Sequence, residues 1–155
     1  MSKFFSRPIR SLWWRLPVSV SAAIAGLTLS ASVAAAQSAL YSPIPVPSSD
    51  EVTDTLSNQD IPTGFGGYAR DYTLNLESGD YLVIDLASSE FDTIITMLAP
   101  DGSTFGENDD GPDGTTNSML FVRVVDGGQY TLRVTPYAGQ GEGEFNLKVT
   151  RLRPI

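Results

Sequence analysis

Glu107, Asn108, Asp109, Asp110 and Asp113 fall within seven positions of each other in the stretch GENDDGPDGTTNS, Gly106 to Ser118. Carboxylates this close repel unless water, a cation or a partner quenches them. A hard cation such as calcium takes six to eight oxygens from carboxylates, amides and backbone carbonyls on a flexible loop. Asn108, Asp109, Asp110 and Asp113 offer such oxygens, and the loop glycines let carbonyls turn inward. The spacing is not that of an EF-hand. Counted from Asp109, the third position is Gly111 and the twelfth is Leu120, where a bidentate Glu belongs. The competing reading is an exposed turn in which Asx side chains bond local backbone amides.

The other chemistries are narrower. The chain has no His and no Cys, so Ser-His, Cys-His and cysteine nucleophile systems are excluded, as is zinc hydrolase spacing. Two carboxylates across a cleft suffice for glycoside hydrolysis. A general acid, however, needs burial or a close partner to stay protonated near neutrality, and an acidic loop beside glycines supplies neither. Aromatic rings on loops can stack on sugars. Trp13 and Trp14 lie in the leading segment, so this role falls to Tyr68, Phe105 and Tyr137, with Phe65 beside them. The same rings can instead plug the ends of a core.

The elements that must position these residues begin after a distinct leader. Residues 1–36 hold four basic residues and no acid, followed by an apolar and small-residue run ending Ala34-Ala35-Ala36. This is the pattern of a cleaved export signal. An uncleaved anchor is the alternative, because no charge interrupts Leu16 to Ser49. Residues 37–155 carry six basic and 18 acidic residues, a net charge of −12. That disfavours nucleic acid and anionic membranes as partners. Export without cysteine suits a periplasmic or secreted bacterial protein.

YSPIPVPSSDE, from Tyr41, has prolines at alternate positions and predicts an extended spacer without a core of its own. From Val52 onward apolar residues recur with period two. Tyr72, Leu74 and Leu76 share one strand face, as do Leu82, Ile84 and Leu86. So do Tyr130, Leu132 and Val134, and Phe145, Leu147 and Val149. Ala99-Pro100-Asp101-Gly102 reads as a type I turn. The charges Arg70, Asp71, Arg123 and Arg133 read as solvated strand faces with cross-strand pairing. The pattern predicts an all-β, jelly-roll-like antiparallel β-sandwich of seven or eight strands.

RDYTLNLESGDYLVIDL, FDTIITMLAPDGSTFGENDD and GGQYTLRVTPYAGQGEGEFNLKV, in that order, resemble the bacterial pre-peptidase C-terminal domain over Asp71 to Leu152. The resemblance implies a jelly-roll-like sandwich acting as a non-catalytic accessory module of exported enzymes. It implies calcium in some members and binding of insoluble polymers in others. It also matches Asp92 to the family's strand-leading aspartate, placing it near the acidic loop in a calcium site. The expected organisation is a signal at 1–36, a spacer and lead-in strand at 37–63, and the sandwich at 64–155. The expected function is an exported binding or structural module without catalysis, its partner an extracellular polymer or a protein. A protein could also add a strand to a sheet edge.

Overall fold

The computed structural model describes residues 41–152, of which 42–152 belong to one compact unit. The expected export signal at 1–36 lies outside the described residues. Among those residues no helix is long and apolar enough to cross a membrane.

Ten strands run in chain order: β1 (Ile44–Pro45), β2 (Glu51–Leu56), β3 (Ile61–Pro62), β4 (Tyr68–Leu76) and β5 (Tyr81–Ala87), then β6 (Thr93–Leu98), β7 (Thr104–Asn108), β8 (Ser118–Arg123), β9 (Gly128–Pro136) and β10 (Gly143–Leu152). One sheet has the order β1-β4-β9-β6-β7, with β3 also paired to β4. The other has the order β2-β10-β5-β8. Every pairing is antiparallel except β1 with β4. This is the expected all-β sandwich. Eight strands are of five residues or more, and two short pairings extend the first sheet.

The period-two faces become the core. Tyr72, Leu82, Ile84, Ile95, Met97, Leu132 and Val134 are wholly buried between the sheets, with Leu86, Phe145 and Leu147 beside them. Burying one such side chain stabilises the fold by about 1.5–3 kcal/mol. β5 lies between β10 and β8, so its second face is also half covered, and Tyr81 and Val83 sit there.

Two expectations are corrected. The proline-rich stretch is not a free spacer. Ile44 and Pro45 pair in parallel with Tyr72 and Thr73, Val46 N–H donates to the Thr73 carbonyl (2.8 Å), and Val46 packs against the core. Proline lacks an N–H, and an edge strand is where that lack does least harm. The strand charges are not all solvated either. Asp71 is buried on the outer side of the six-stranded sheet, where Arg133 on the neighbouring strand neutralises it.

Candidate functional site: the loop end of the sandwich

Strand direction sends four loops to one end of the sandwich. They are residues 63–67 before β4, 88–92 between β5 and β6, 109–117 between β7 and β8, and 137–142 between β9 and β10. Asp92, Asp109, Asp110, Asp113 and Tyr137 stand on these loops. Asn108 closes β7 and Tyr68 opens β4 at the same end. Phe105 does not join them. It sits near the opposite end, edge-on to Tyr130 with ring centroids 5.4 Å apart.

The acidic loop is held by Asn108. Its Nδ2 donates to the carbonyls of Asp110 and Met119, both at 2.7 Å, and its Oδ1 accepts from the Asp109 and Asp110 amides at 3.1 and 3.4 Å. Met119 N–H donates to the Asp110 carbonyl at 3.1 Å. The loop therefore folds back along β8, the edge strand of its sheet, and occupies polar backbone groups that would otherwise invite another strand. Asp113 Oδ1 accepts from the amide (3.2 Å) and the hydroxyl (2.8 Å) of Thr115, and these bonds hold its carboxyl below the usual range. Glu107 Oε2 accepts from Thr96 Oγ1 at 2.7 Å. Asp92 serves through its backbone, its carbonyl accepting from Tyr137 N–H at 2.8 Å.

Among the described residues no three Asp or Glu side chains come together in a way that holds a metal ion. The fold brings Asp92, Asn108, Asp109, Asp110 and Asp113 to one end without gathering them into one ligand set. The side-chain oxygens of Asn108 and Asp113 accept from local amides in Asx-type turns.

The aromatic residues separate sharply. Tyr68 and Phe105 are half-buried and pack against the core. Tyr137 is 49% exposed, and Phe65 is 99% exposed. Phe65 owes its position to glycine. Gly64, Gly66 and Gly67 have φ of +80°, +103° and +72°, which L side chains rarely adopt. Thr63 closes the loop, its N–H donating to the Gly67 carbonyl at 3.2 Å and its hydroxyl to the Gly66 carbonyl at 2.5 Å. Gly67 then lies flat against Gly139, so that a Cβ on Gly67 would come within 2.7 Å of the Gly139 carbonyl oxygen. The two loops carrying exposed rings are thus locked backbone to backbone.

Beneath this end lies a cluster that period-two patterning did not reveal. Arg70 Nε is 3.0 Å from Asp54 Oδ2, and its Nη1 donates to Asp60 Oδ1 and to the Thr55 carbonyl, both at 2.9 Å. Tyr72 Oη donates to Asp54 Oδ2 at 2.8 Å. Burial, and then this bond to Asp54, push the Tyr72 phenol well above its ordinary range. A shallow groove of about 390 Å³ opens nearby, lined by Thr53, Ser88, Asn117, Glu144 and Asn146 among others.

The structure is a two-sheet β-sandwich with ion pairs built into its framework and exposed rings on the loops at one end. Residues 68–136, from β4 to the end of β9, match the bacterial pre-peptidase C-terminal domain. Among solved structures, PliG of Aeromonas hydrophila, a periplasmic inhibitor of g-type lysozyme, is similar with a TM-score of 0.53 at 17% identity. That match covers 72% of this chain and 96% of the inhibitor. The pre-peptidase C-terminal domain of collagenase from Bacillus anthracis is similar with a TM-score of 0.51 at 12% identity, over 70% of this chain and 95% of that one. No curated protein matches the chain in sequence.

Proposed function

We propose that this chain is an exported, non-catalytic binding module and that its ligand is a protein. The observation that carries the reading is the pair of exposed rings, Phe65 and Tyr137, held on interlocked loops at one end of a rigid sandwich. A bare phenylalanine on a preorganised loop loses little entropy on docking and gains the burial of a whole ring. The leader at 1–36, with its basic start and its Ala-Ala-Ala end, supports export. The similarity to PliG supports a protein ligand, since that fold neighbour inhibits a lysozyme. Without His or Cys, and with the Asp113 carboxylate bonded to Thr115, the chain is better equipped to hold a partner than to cleave one.

The test offers the immobilised chain g-type lysozyme and, separately, insoluble polysaccharides. Saturable capture of the protein, weakened by Phe65→Ala, supports the reading. Sedimentation with a polysaccharide that Tyr137→Ala abolishes would move the ligand to the polymer class.

A further inference from the structure

Resting on that reading, the geometry points to the chemistry of the partner: a protein surface with an apolar pocket that takes the Phe65 ring and a basic patch to one side of it, facing the glutamates. Three loops form one continuous strip at this end. The 63–67 loop meets the 137–142 loop at Gly67 and Gly139. The 137–142 loop meets the 88–92 loop where a Cβ on Gly141 would come within 2.5 Å of Phe91 Cβ, and the start of β10 continues the contact at Gly143 against Glu90. The strip carries Phe65 at one side, Tyr137 in the middle, and Glu90, Glu142 and Glu144 on the other side, all exposed.

Phe65 is the sharp feature. At 99% exposure it makes almost no contact with its own chain, so it contributes nothing to the core. Three bonds and contacts nevertheless fix its loop: both Thr63 donors and the Gly67–Gly139 packing. An aromatic anchor that fills a partner pocket is the usual centre of a binding hot spot. The exposed glutamates at the other side of the strip select the charge of the partner surface there. No basic side chain stands on the three loops, and Arg70, the nearest in sequence, is bonded to Asp54 and Asp60. A lipid surface is the other place an exposed phenylalanine inserts. The carboxylates of the strip oppose an anionic membrane, whose binding rewards Lys and Arg.

The test selects phage-displayed random peptides on the full chain and measures their affinity by calorimetry at low and high salt. Phosphatidylcholine vesicles, with and without phosphatidylglycerol, form a second arm. The expected result is a set of peptides combining an apolar residue with Lys or Arg. Their affinity falls about 30-fold in Phe65→Ala, the size of a hot-spot loss. It also falls in Glu142→Gln/Glu144→Gln and with added salt, as exposed charges require. Phe65 is almost wholly exposed, so Phe65→Ala keeps the wild-type melting curve and a lost affinity reports the contact alone. Peptides that bind Phe65→Ala as tightly as wild type, or that carry no basic residue, overturn this inference while leaving a protein ligand standing elsewhere on the chain. Failure to select any peptide overturns both readings. Phe65-dependent partition into vesicles replaces the protein partner with a membrane and overturns the inference.

Discussion

Asp71 on β4 and Arg133 on β9 stand directly opposite each other, and Arg133 donates from Nε and Nη2 to the two Asp71 oxygens, both at 2.8 Å. The row continues across the sheet. Arg133 faces Thr96 on β6, and Thr96 faces Glu107 on β7, to which its hydroxyl donates. The Asp71 side chain is completely buried and that of Arg133 is about a third exposed. Removing the arginine takes the facing cation away from a buried carboxylate. Arg133→Met is therefore expected to cost about 3 kcal/mol, at the low end for a broken buried pair because the arginine is part-solvated. Asp71→Ala leaves a cation that solvent reaches and costs less. Urea midpoints of the two variants check the order, and equal losses would show that the pair behaves as a surface bridge.

Gly139→Ala tests the interlock of the exposed loops. Gly139 has φ of +69°, and an added Cβ would run into the Gly66 backbone. Gly64 has φ of +80° but open space around it. Gly64→Ala is expected to cost about 1 kcal/mol from backbone strain alone. Gly139→Ala adds a steric clash with backbone and is expected to cost at least about 1 kcal/mol more. Thermal melts of both variants measure the difference. If the two are equally destabilised, the loops are not packed as described.

How far the sequence carried the fold depends on which signal each residue sends. Leu82, Ile84 and Leu86, or Phe145, Leu147 and Val149, announce their face because period two is a local property, and each set is buried. β1 was hidden by its prolines, and its pairing with Tyr72 and Thr73 rests on residues nearly thirty positions away. β7 was read as part of the acidic loop, since Gly106 and Asn108 break any alternation, yet Gly106 pairs with Met97 and Asn108 with Ile95. Asp71 looked like a solvated charge because its neutralising partner is 62 residues later. The candidate site followed the same rule. Loop composition brought Asp92, Asn108, Asp109, Asp110, Asp113, Tyr68 and Tyr137 to notice, and topology brought them to one end. Which oxygens are free, and which ring is bare, depended on side-chain partners that composition does not encode.

Asn108 is expected to matter more than the carboxylates around it. Asn108→Ala removes two donated and two accepted hydrogen bonds and frees the β8 edge. A loss of about 2 kcal/mol is expected, together with faster aggregation on heating. Asp109→Ala touches no such network and stays within about 0.5 kcal/mol of wild type. Because no three carboxylates converge among the described residues, the melting temperature is expected to be the same in calcium and in chelator. A calcium-dependent rise abolished by Asp109→Ala or Asp110→Ala would instead show that the loop rearranges around the ion.

Alkaline unfolding should begin at the Tyr72–Asp54 bond. The Tyr72 phenol is buried and donates to a carboxylate, so its proton is held far above the ordinary value near 10 that it regains on unfolding. The folded state thus binds one more proton than the unfolded state once the pH passes about 10. Stability from this group is complete below that pH and falls as pH rises beyond it. Tyr130, whose phenol is also raised by burial, adds to the loss with the same sign. Tyr72→Phe removes the bond to Asp54 and is expected to cost about 1 kcal/mol at neutral pH, since Arg70 still neutralises the aspartate. In exchange, the variant has no phenol to titrate there, so its urea midpoint should decline less steeply than wild type between pH 10 and higher values. Parallel declines in the two proteins would mean that the alkaline transition starts elsewhere.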